Sequence, residues 1–475
     1  MAKSSRFPDR ANVAILGDGL SGLVAGAVLS RAGKRVALFP DPDTGLSGEG
    51  EVPFYSQKLL SGFERDSPAE RVLNELGISL SLLRRSRDIF KSPPAWLQVA
   101  YSDFRLTQYG DRAETLTNLR AGFGESAETV GVLYRELDRW SPLIYPFLYD
   151  DHCPAISREK GRRRLPAWLL YRSKVFRIGM TKASDYCLTL GLKGELQEYF
   201  NALSLFQTGE ELSHGSQLKF FQSLDLYRHD PLETSREEVD LKDLLTKIIR
   251  QNKGEIVNQL PESLMFEGGR IAGLQFQGRE GLGCDALVWN PRAAATPQED
   301  NRVISTFYFQ FDDRQRPAAM GDHLILKRNP DLPFGRLNFL YISLTDSGEA
   351  DARGEKKEST RRGLTVQCPM PPADANEDSD AVVREITERL IWLMPFADES
   401  LRYRGRRLRG GALHVPSLFP KVIQRKLART LSPNGSPARL ANSVYYLPRP
   451  ATPFMIDSNE MTSGYELAQS IKGAN

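Results

Sequence analysis

The residues best placed to do chemistry are six near the start of the chain, Gly17-Asp18-Gly19-Leu20-Ser21-Gly22. Glycines at the first, third and sixth places of such a run leave a turn clear of side chains. Gly17 permits a tight reversal, Gly19 lets a pyrophosphate approach the backbone, and Gly22 lets a helix pack closely on a strand. A helix starting here would offer unpaired N–H groups and a positive dipole end, which suits phosphate oxygens. Other candidates are weaker. Cys153, Cys187, Cys284 and Cys368 lie far apart, with no C-x-x-C pair and no histidine at metal-ligand spacing, so they read as reduced, buried thiols and no metal site is expected. Cys153 follows His152 directly, yet adjacent residues seldom point the same way, so the two are not read as nucleophile and base. The five histidines are scattered and read as packing or surface residues.

The elements that must position the glycine turn are local. Val13-Ala14-Ile15-Leu16 is an apolar run fit for a buried parallel strand, an Ala-rich helix follows the turn, and Gly33 closes it. Val36-Ala37-Leu38-Phe39 is a second buried strand, so the stretch from Val13 to Phe39 is a βαβ unit carrying a dinucleotide fingerprint. One part of that fingerprint is missing. An acidic residue is expected about 20 residues past the glycines, where it hydrogen-bonds a ribose hydroxyl; Pro40 holds that place. Asp41 and Asp43 follow, and two readings stand side by side: a carboxylate displaced by one residue that reaches the ribose, or an ordinary turn through Asp41-Pro42-Asp43-Thr44-Gly45.

Composition bounds the remainder. The 475 residues suffice for two or three domains, and 63 Lys and Arg against 60 Asp and Glu leave a net charge of +3, which gives no bulk argument for nucleic acid. No apolar run approaches the ~18 residues of a membrane span. Met1-Ala2-Lys3-Ser4-Ser5-Arg6 has no apolar run behind its charges, so no signal peptide is expected and the protein is placed in the cytoplasm. The most basic stretch, Arg158 to Lys182, interleaves arginines and lysines with Trp168, Leu169, Leu170, Tyr171, Val175, Phe176 and Ile178. It suits peripheral contact with an anionic bilayer or an entry lid for an apolar substrate; it also suits an amphipathic helix with a solvated basic face. Phe200, Phe206, Phe220, Phe221 and Tyr227 read as core. The Arg402 to Arg409 cluster reads as surface first and as a partner contact second.

Five segments follow from the pattern: 1–90, 239–300 and 436–475 for a nucleotide-binding domain, with 91–238 and 301–435 for a substrate domain. A helix is expected over Pro68 to Leu76, another over Ala127 to Phe147, and strands over Leu97 to Tyr101 and Phe104 to Leu106. Asp240 to Gln251 reads as an amphipathic helix, and Ser263 to Phe276 as a β-hairpin around Gly268-Gly269. Alternating apolar runs between Ile304 and Met370 suggest an antiparallel sheet, followed by a helix over Asp380 to Met394, with a strand and a helix closing the chain.

With those residues in view, the chain resembles the FAD-dependent oxidoreductases of the phytoene desaturase and amine oxidase superfamily, as a divergent member. The resemblance rests on LGDGLSGLVAGAVLSRAGKRVALF, on LKDLLTKIIRQNKGEIV followed by GGRIAGLQF, and on CDALVWNP. It implies an α/β fold: a Rossmann-like FAD/NAD(P)-binding domain interleaved with an α+β substrate domain built on an antiparallel sheet. It implies FAD as cofactor, with Gly17, Gly19, Leu20, Ser21 and Gly22 matching the pyrophosphate loop and Val257 the strand whose backbone touches adenine. Four positions depart from the pattern. Pro40 replaces a glutamate, Gly45-Leu46-Ser47-Gly48 lacks an arginine, Glu237-Glu238 replaces paired glycines, and Tyr446-Leu447-Pro448-Arg449-Pro450 stands where a Gly-Asp pair follows the last strand. Each departure removes a hydrogen bond worth about 1 kcal/mol or blocks close backbone approach, and Arg449 pairing with a phosphate would offset part of the loss.

The resemblance therefore implies an oxidoreductase of desaturase or dehydrogenase type acting on an apolar, isoprenoid or carotenoid-like small molecule, with the cofactor carrying the chemistry and no catalytic residue named. The alternative is a flavoenzyme fold that has lost FAD and serves as a binding or scaffolding protein. A nicotinamide-dependent dehydrogenase comes third, because the segment after the first βαβ does not continue as strand, helix and strand.

Overall fold

The computed structural model describes residues 9–40, 59–61, 63, 67–85, 90–91, 95–101, 105–149, 177–208, 211–225, 232–234, 238–290, 303–327, 338–346, 361–370, 379–409, 438–447 and 455–473. β1 (Asp9–Leu16), α1 (Leu20–Arg31) and β2 (Val36–Phe39) form the expected parallel unit, in register Val13 to Val36 through Leu16 to Phe39. On its other side β1 pairs in parallel with Arg279–Trp289, placing Leu16 opposite Trp289. Val444–Tyr446 and Ala438–Ala441 extend the sheet beyond that strand, and Glu255–Ile256 extends it beyond β2. The hairpin Ser263–Glu267 and Arg270–Phe276 joins antiparallel to Arg279–Trp289, completing an eight-stranded sheet.

Every residue from Leu20 to Ser30 of α1 is buried, as expected of a helix built from Leu, Val, Ala and Gly all round. It lies between the helices Glu238–Gln251 and Ser458–Gly473, sharing one core with Leu245, Ile249, Leu467 and Ile471. The contact with the last helix is close enough to demand glycine: a Cβ at Gly464 would sit 2.2 Å from the Ser21 carbonyl oxygen.

The second sheet has seven strands, in the order Arg402–Arg409, Val303–Asp312, Arg361–Met370, Leu340–Asp346, His323–Leu326, Ala95–Ala100 and Arg105–Tyr109. All its pairs are antiparallel except His323–Leu326 with Ala95–Ala100. One face carries Phe307, Phe309, Leu340, Ile342, Leu364 and Val366 and packs on Val382, Ile386 and Leu390 of the helix Ser379–Leu393. Helices Arg112–Phe123, Glu128–Tyr149, Ala183–Leu190, Gly194–Thr208 and Gln217–Asp225 share a third core with Leu97, Val99, Ile325 and Tyr341.

Several elements differ from the sequence reading. The helix beginning at Glu128 runs on to Tyr149 through Pro142 and Pro146. The three helices between Ala183 and Asp225 carry the aromatic core residues Phe200, Phe206, Phe220 and Phe221 on elements that the sequence reading left undefined; Tyr227 lies outside the described residues. A four-stranded sheet of two- and three-residue strands, Met455–Asp457, Leu59–Ser61, Leu232–Thr234 and Phe90–Lys91, ties together segments far apart in the chain. Arg402–Arg409 is an edge strand, exposed at Arg402 and Tyr403 as the surface reading expects but not at Arg406. Its alternation turns Arg406 inward to 4% exposure, where it donates to Ser305 Oγ at 3.0 Å and lies 5.0 Å from the Phe307 ring centre.

Candidate functional site

The glycine turn is held by the end of the neighbouring strand. The Gly17 amide donates to the Phe39 carbonyl at 2.8 Å, and the Asn290 amide donates to the Leu16 carbonyl at 2.8 Å. Gly17 has φ of +103°, and a Cβ there would lie 1.9 Å from the Asn290 carbonyl oxygen, so any other residue would be both strained and obstructed. Asn290 is fully buried and bonds with both ends of its amide: Oδ1 accepts from the Gly22 amide and Nδ2 donates to the Leu447 carbonyl, each at 3.2 Å. Leu447 in turn donates its amide to Trp289 at 2.8 Å. Asn290 thus ties the start of α1 to the last strand of the sheet. The sequence reading placed it only within CDALVWNP and gave it no role.

Gly19 is the N-cap of α1, in an extended conformation with φ −59° and ψ 154°, and supplies no capping side chain. With Gly22 bonded to Asn290 and Leu23 to Gly19, the amides of Leu20 and Ser21 bond to no other described residue. The Ser21 side chain is fully buried, and its Oγ has no hydrogen-bond partner among the described residues. Two helix-terminal amides and one hydroxyl, at the positive end of a helix dipole and beside two glycines, Gly17 and Gly19, that carry no side chain, make a donor set for a diphosphate. The residues of the turn fit that half of a dinucleotide.

Asp18 places a carboxylate in the same turn, where it would repel phosphate, and Lys242 of the helix Glu238–Gln251 meets it at 3.7 Å. Both side chains are about four-fifths shielded from solvent, so the pair leaves the turn close to neutral.

The adenosine half fits less well. Pro40 offers no side-chain acceptor. The Val257 amide donates to the Leu38 carbonyl at 2.8 Å and is spent within the sheet, while its side chain packs on the cluster containing Ala37 and Phe39. Asp41, Asp43, Gly45-Leu46-Ser47-Gly48, Glu237 and Pro448-Arg449-Pro450 lie outside the described residues. So does the basic stretch up to Phe176; of its described end, Ile178 is buried and Met180 is 71% exposed.

A second feature lies on the seven-stranded sheet, on the face opposite its apolar layer. Strand register sets out two rows there. Thr306, Gln367, Tyr341 and Ile325 form one, and Tyr308, Thr365, Ser343 and His323 the other. The flanking row on the other face is Phe307, Val366, Ile342 and Leu324, wholly apolar. Such alternation ordinarily sends the polar face into water, yet no residue of these two rows exceeds 8% exposure.

His323 Nδ1 and Tyr341 Oη lie 2.6 Å apart with their rings stacked, and Tyr341 also meets Phe206, ring centres 4.9 Å apart. Thr306 Oγ1, Gln367 Nε2, Thr365 Oγ1, Ser343 Oγ and both amide atoms of the buried Gln207 have no hydrogen-bond partner among the described residues. Leaving each bare costs about 1–3 kcal/mol. Six together would rival the ~5–15 kcal/mol by which a protein is stable. Water or a bound molecule is the natural complement to such a surface.

Cys187, Cys284 and Cys368 are buried and free, and burial pushes each thiol up to about 12, so they stay protonated and unreactive at neutral pH. Cys153 lies outside the described residues. No group of three metal-ligating side chains occurs among the described residues, and none of their helices is long and apolar enough to cross a membrane.

The architecture, a Rossmann-like parallel unit within one sheet and a second, largely antiparallel sheet, is the fold of solved oxidases and of a Rab GDI. In particular, the chain is similar to an oxidoreductase from Methanosarcina mazei (TM-score 0.58, 13% identity, 97% of this chain and 100% of the other). It is also similar to a putrescine oxidase solved with putrescine bound (TM-score 0.56, 12% identity, 98% and 99%). A Rab GDI from Plasmodium falciparum has the same fold (TM-score 0.54, 10% identity, 98% of both chains). At these identities the likeness is one of fold. No family model matches the sequence, and no curated protein does.

Proposed function

We propose that this chain is an FAD-dependent oxidoreductase that holds the cofactor's diphosphate on Gly17 to Gly22. The observation that carries the reading is the buried, unpartnered Ser21 hydroxyl beside the Leu20 and Ser21 amides, in the fold of the oxidases. FAD supplies the redox chemistry when bound. The chain's own part is to seat the diphosphate on α1, to hold that helix against the sheet through Asn290, and to present the polar face of the seven-stranded sheet to substrate. The isoprenoid or carotenoid-like substrate implied by the sequence resemblance gains no support from that face, whose side chains are hydrogen-bonding ones. Membrane contact through Arg158 to Lys182 is proposed on the basic sequence and the exposed Met180.

A second reading, a non-catalytic binding protein, draws on a specific observation: the Val257 amide is committed to Leu38 and Pro40 has no side-chain acceptor, so two of the adenosine contacts are weakened. The same fold in a Rab GDI, named as something other than an oxidase, is compatible with it. The test is the colour of the purified protein. Yellow protein that releases FAD on denaturation supports the oxidoreductase. Colourless protein whose melting temperature ignores added FAD supports the second reading and overturns the first.

A further inference from the structure

A cavity of about 140 Å³ lies at the other end of the parallel strands from the glycine turn. Val13 of β1 and Ala286 of the neighbouring strand contribute to its lining, at the amino ends of β2 and of Val444–Tyr446. Open α/β sheets take their nucleotides at the carboxyl ends of the strands, where the glycine turn sits. The cavity is therefore a separate place. Three cationic side chains line it from three segments: Lys34 from the turn between α1 and β2, Arg270 from the first residue of the strand Arg270–Phe276, and Arg439 from Ala438–Ala441.

One carboxylate shares the wall, Asp285, and it is already engaged. Arg10 Nε donates to its Oδ1 and Asn12 Nδ2 to its Oδ2, each at 3.2 Å. Glu255 is ion-paired with Arg35 at 3.7 Å, and Glu267, opposite Arg270 in the hairpin register, is not part of the lining. Neither Lys34 nor Arg270 is ion-paired with a carboxylate among the described residues. Two positive charges are left over, with Arg439 as a third cation beside them. Lys34 is half-buried while Arg270 and Arg439 are exposed, so the cavity opens to solvent on the arginine side.

The turn that closes the cavity is held in an uncommon conformation. Ser443 has φ of +120°, which residues other than glycine seldom adopt. Its Oγ accepts from the Ile271 amide at 2.9 Å and its carbonyl from the Leu287 amide at 2.8 Å. The hydroxyl keeps its own hydrogen to donate. Asn442 accepts from Arg439 through Oδ1 at 3.4 Å, and its Nδ2 donates to no described residue.

We infer that this cavity binds a phosphate group through Lys34, Arg270 and Arg439, with Asn442 and Ser443 as neutral donors. The charge excess calls for an anion of more than one charge, and a phosphate monoester carries about −1.5 to −2 near neutrality. A guanidinium meets phosphate oxygens through two parallel N–H bonds, and a lysine adds a point charge. At about 30 Å³ for each water, the volume holds about five waters, the size of one phosphate group. Anything esterified to that group extends through the open side.

Phosphorus NMR titration of inorganic phosphate into the full-length protein, at constant ionic strength, tests this directly. Wild type is expected to bind with a Kd of about 1 mM or tighter, and chloride at equal ionic strength is expected not to compete. Lys34→Gln/Arg270→Gln is expected to weaken binding by about tenfold or more, and Arg270→Gln alone by about threefold if the double variant does not fold. Gly19→Val is expected to leave phosphate binding unchanged. Protein that ignores free phosphate yet sediments with phosphatidylcholine vesicles containing phosphatidic acid, and not with phosphatidylcholine alone, assigns the phosphate to a lipid headgroup, provided the Lys34 and Arg270 substitutions abolish it. Uptake of neither overturns the inference. So does binding that chloride matches, binding that the Lys34 and Arg270 substitutions leave unchanged, or binding that Gly19→Val abolishes, which would put the phosphate on the glycine turn.

Discussion

Replacing Asn290 by alanine removes two buried hydrogen bonds at once, to the Gly22 amide and to the Leu447 carbonyl, each 3.2 Å long. Asn290 is fully buried and Gly22 lies within the buried run of α1, so water cannot readily replace either bond. Each orphaned backbone group costs about 1–3 kcal/mol, which gives roughly 3–5 kcal/mol for the pair once the lost side-chain packing is included. With an unfolding entropy of about 1 kcal/mol/K for the 475-residue chain, this lowers the melting temperature by about 3–5 °C. Differential scanning calorimetry of Asn290→Ala against wild type reads the shift directly. Asn290→Asp sharpens the test: one carboxylate oxygen still accepts from Gly22, but the other faces the Leu447 carbonyl without a proton to donate. It is expected to be at least as destabilising as alanine at neutral pH and to recover stability as acid protonates the carboxylate. A loss under about 1 kcal/mol in the alanine variant would refute the claim that Asn290 fastens the glycine turn to the last strand.

Other consequences follow from single contacts. Gly464→Ala places a methyl 2.2 Å from the Ser21 carbonyl and should cost about 2–3 kcal/mol, read as a lowered urea midpoint; a neutral effect would mean the two helices can separate freely. Asp18→Asn removes a carboxylate from the turn, so FAD should bind about five- to tenfold more tightly, an advantage that shrinks with added salt; weaker binding, measured by quenching of flavin fluorescence, would contradict the electrostatic account. In a Cys153→Ser background, Cys187, Cys284 and Cys368 should resist a thiol reagent at pH 8 until the protein is denatured; three rapidly reacting thiols in folded protein would refute their burial. Their folded values near 12 lie above the ordinary 9, so the native state holds protons that the unfolded chain releases. Stability should therefore be intact below pH 9 and fall as pH rises from there toward 12; a flat or rising melting temperature over that range would contradict it.

Much of the eight-stranded sheet and its helix α1 was legible because the signals are local. The apolar run before Gly17, the Ala-rich helix after it and the Gly33 stop all fall within 21 residues, and the hairpin announced itself by Gly268-Gly269 between alternating strands. Asn290 was not legible in its role, since its partners lie 268 and 157 positions away and an asparagine before a proline reads first as a turn. The small four-stranded sheet escaped because strands of two or three residues show no period. The alternation in Thr306-Phe307-Tyr308-Phe309 and Leu364-Thr365-Val366 was visible as a sheet. That its polar side is covered depends on the packing of distant elements, which no strand carries in its own residues. Arg406 misled for the same reason: a run of arginines looks solvated until pairing fixes which of them point inward.

The central claim is that a diphosphate rests on the bare end of α1. Its most direct measurement is calorimetric titration of FAD into cofactor-stripped protein, wild type beside Gly19→Val, whose side chain would intrude on the N-cap of that helix. The account predicts one FAD per chain for wild type and no measurable binding for the variant. Equal binding by both, or none by either, would contradict it.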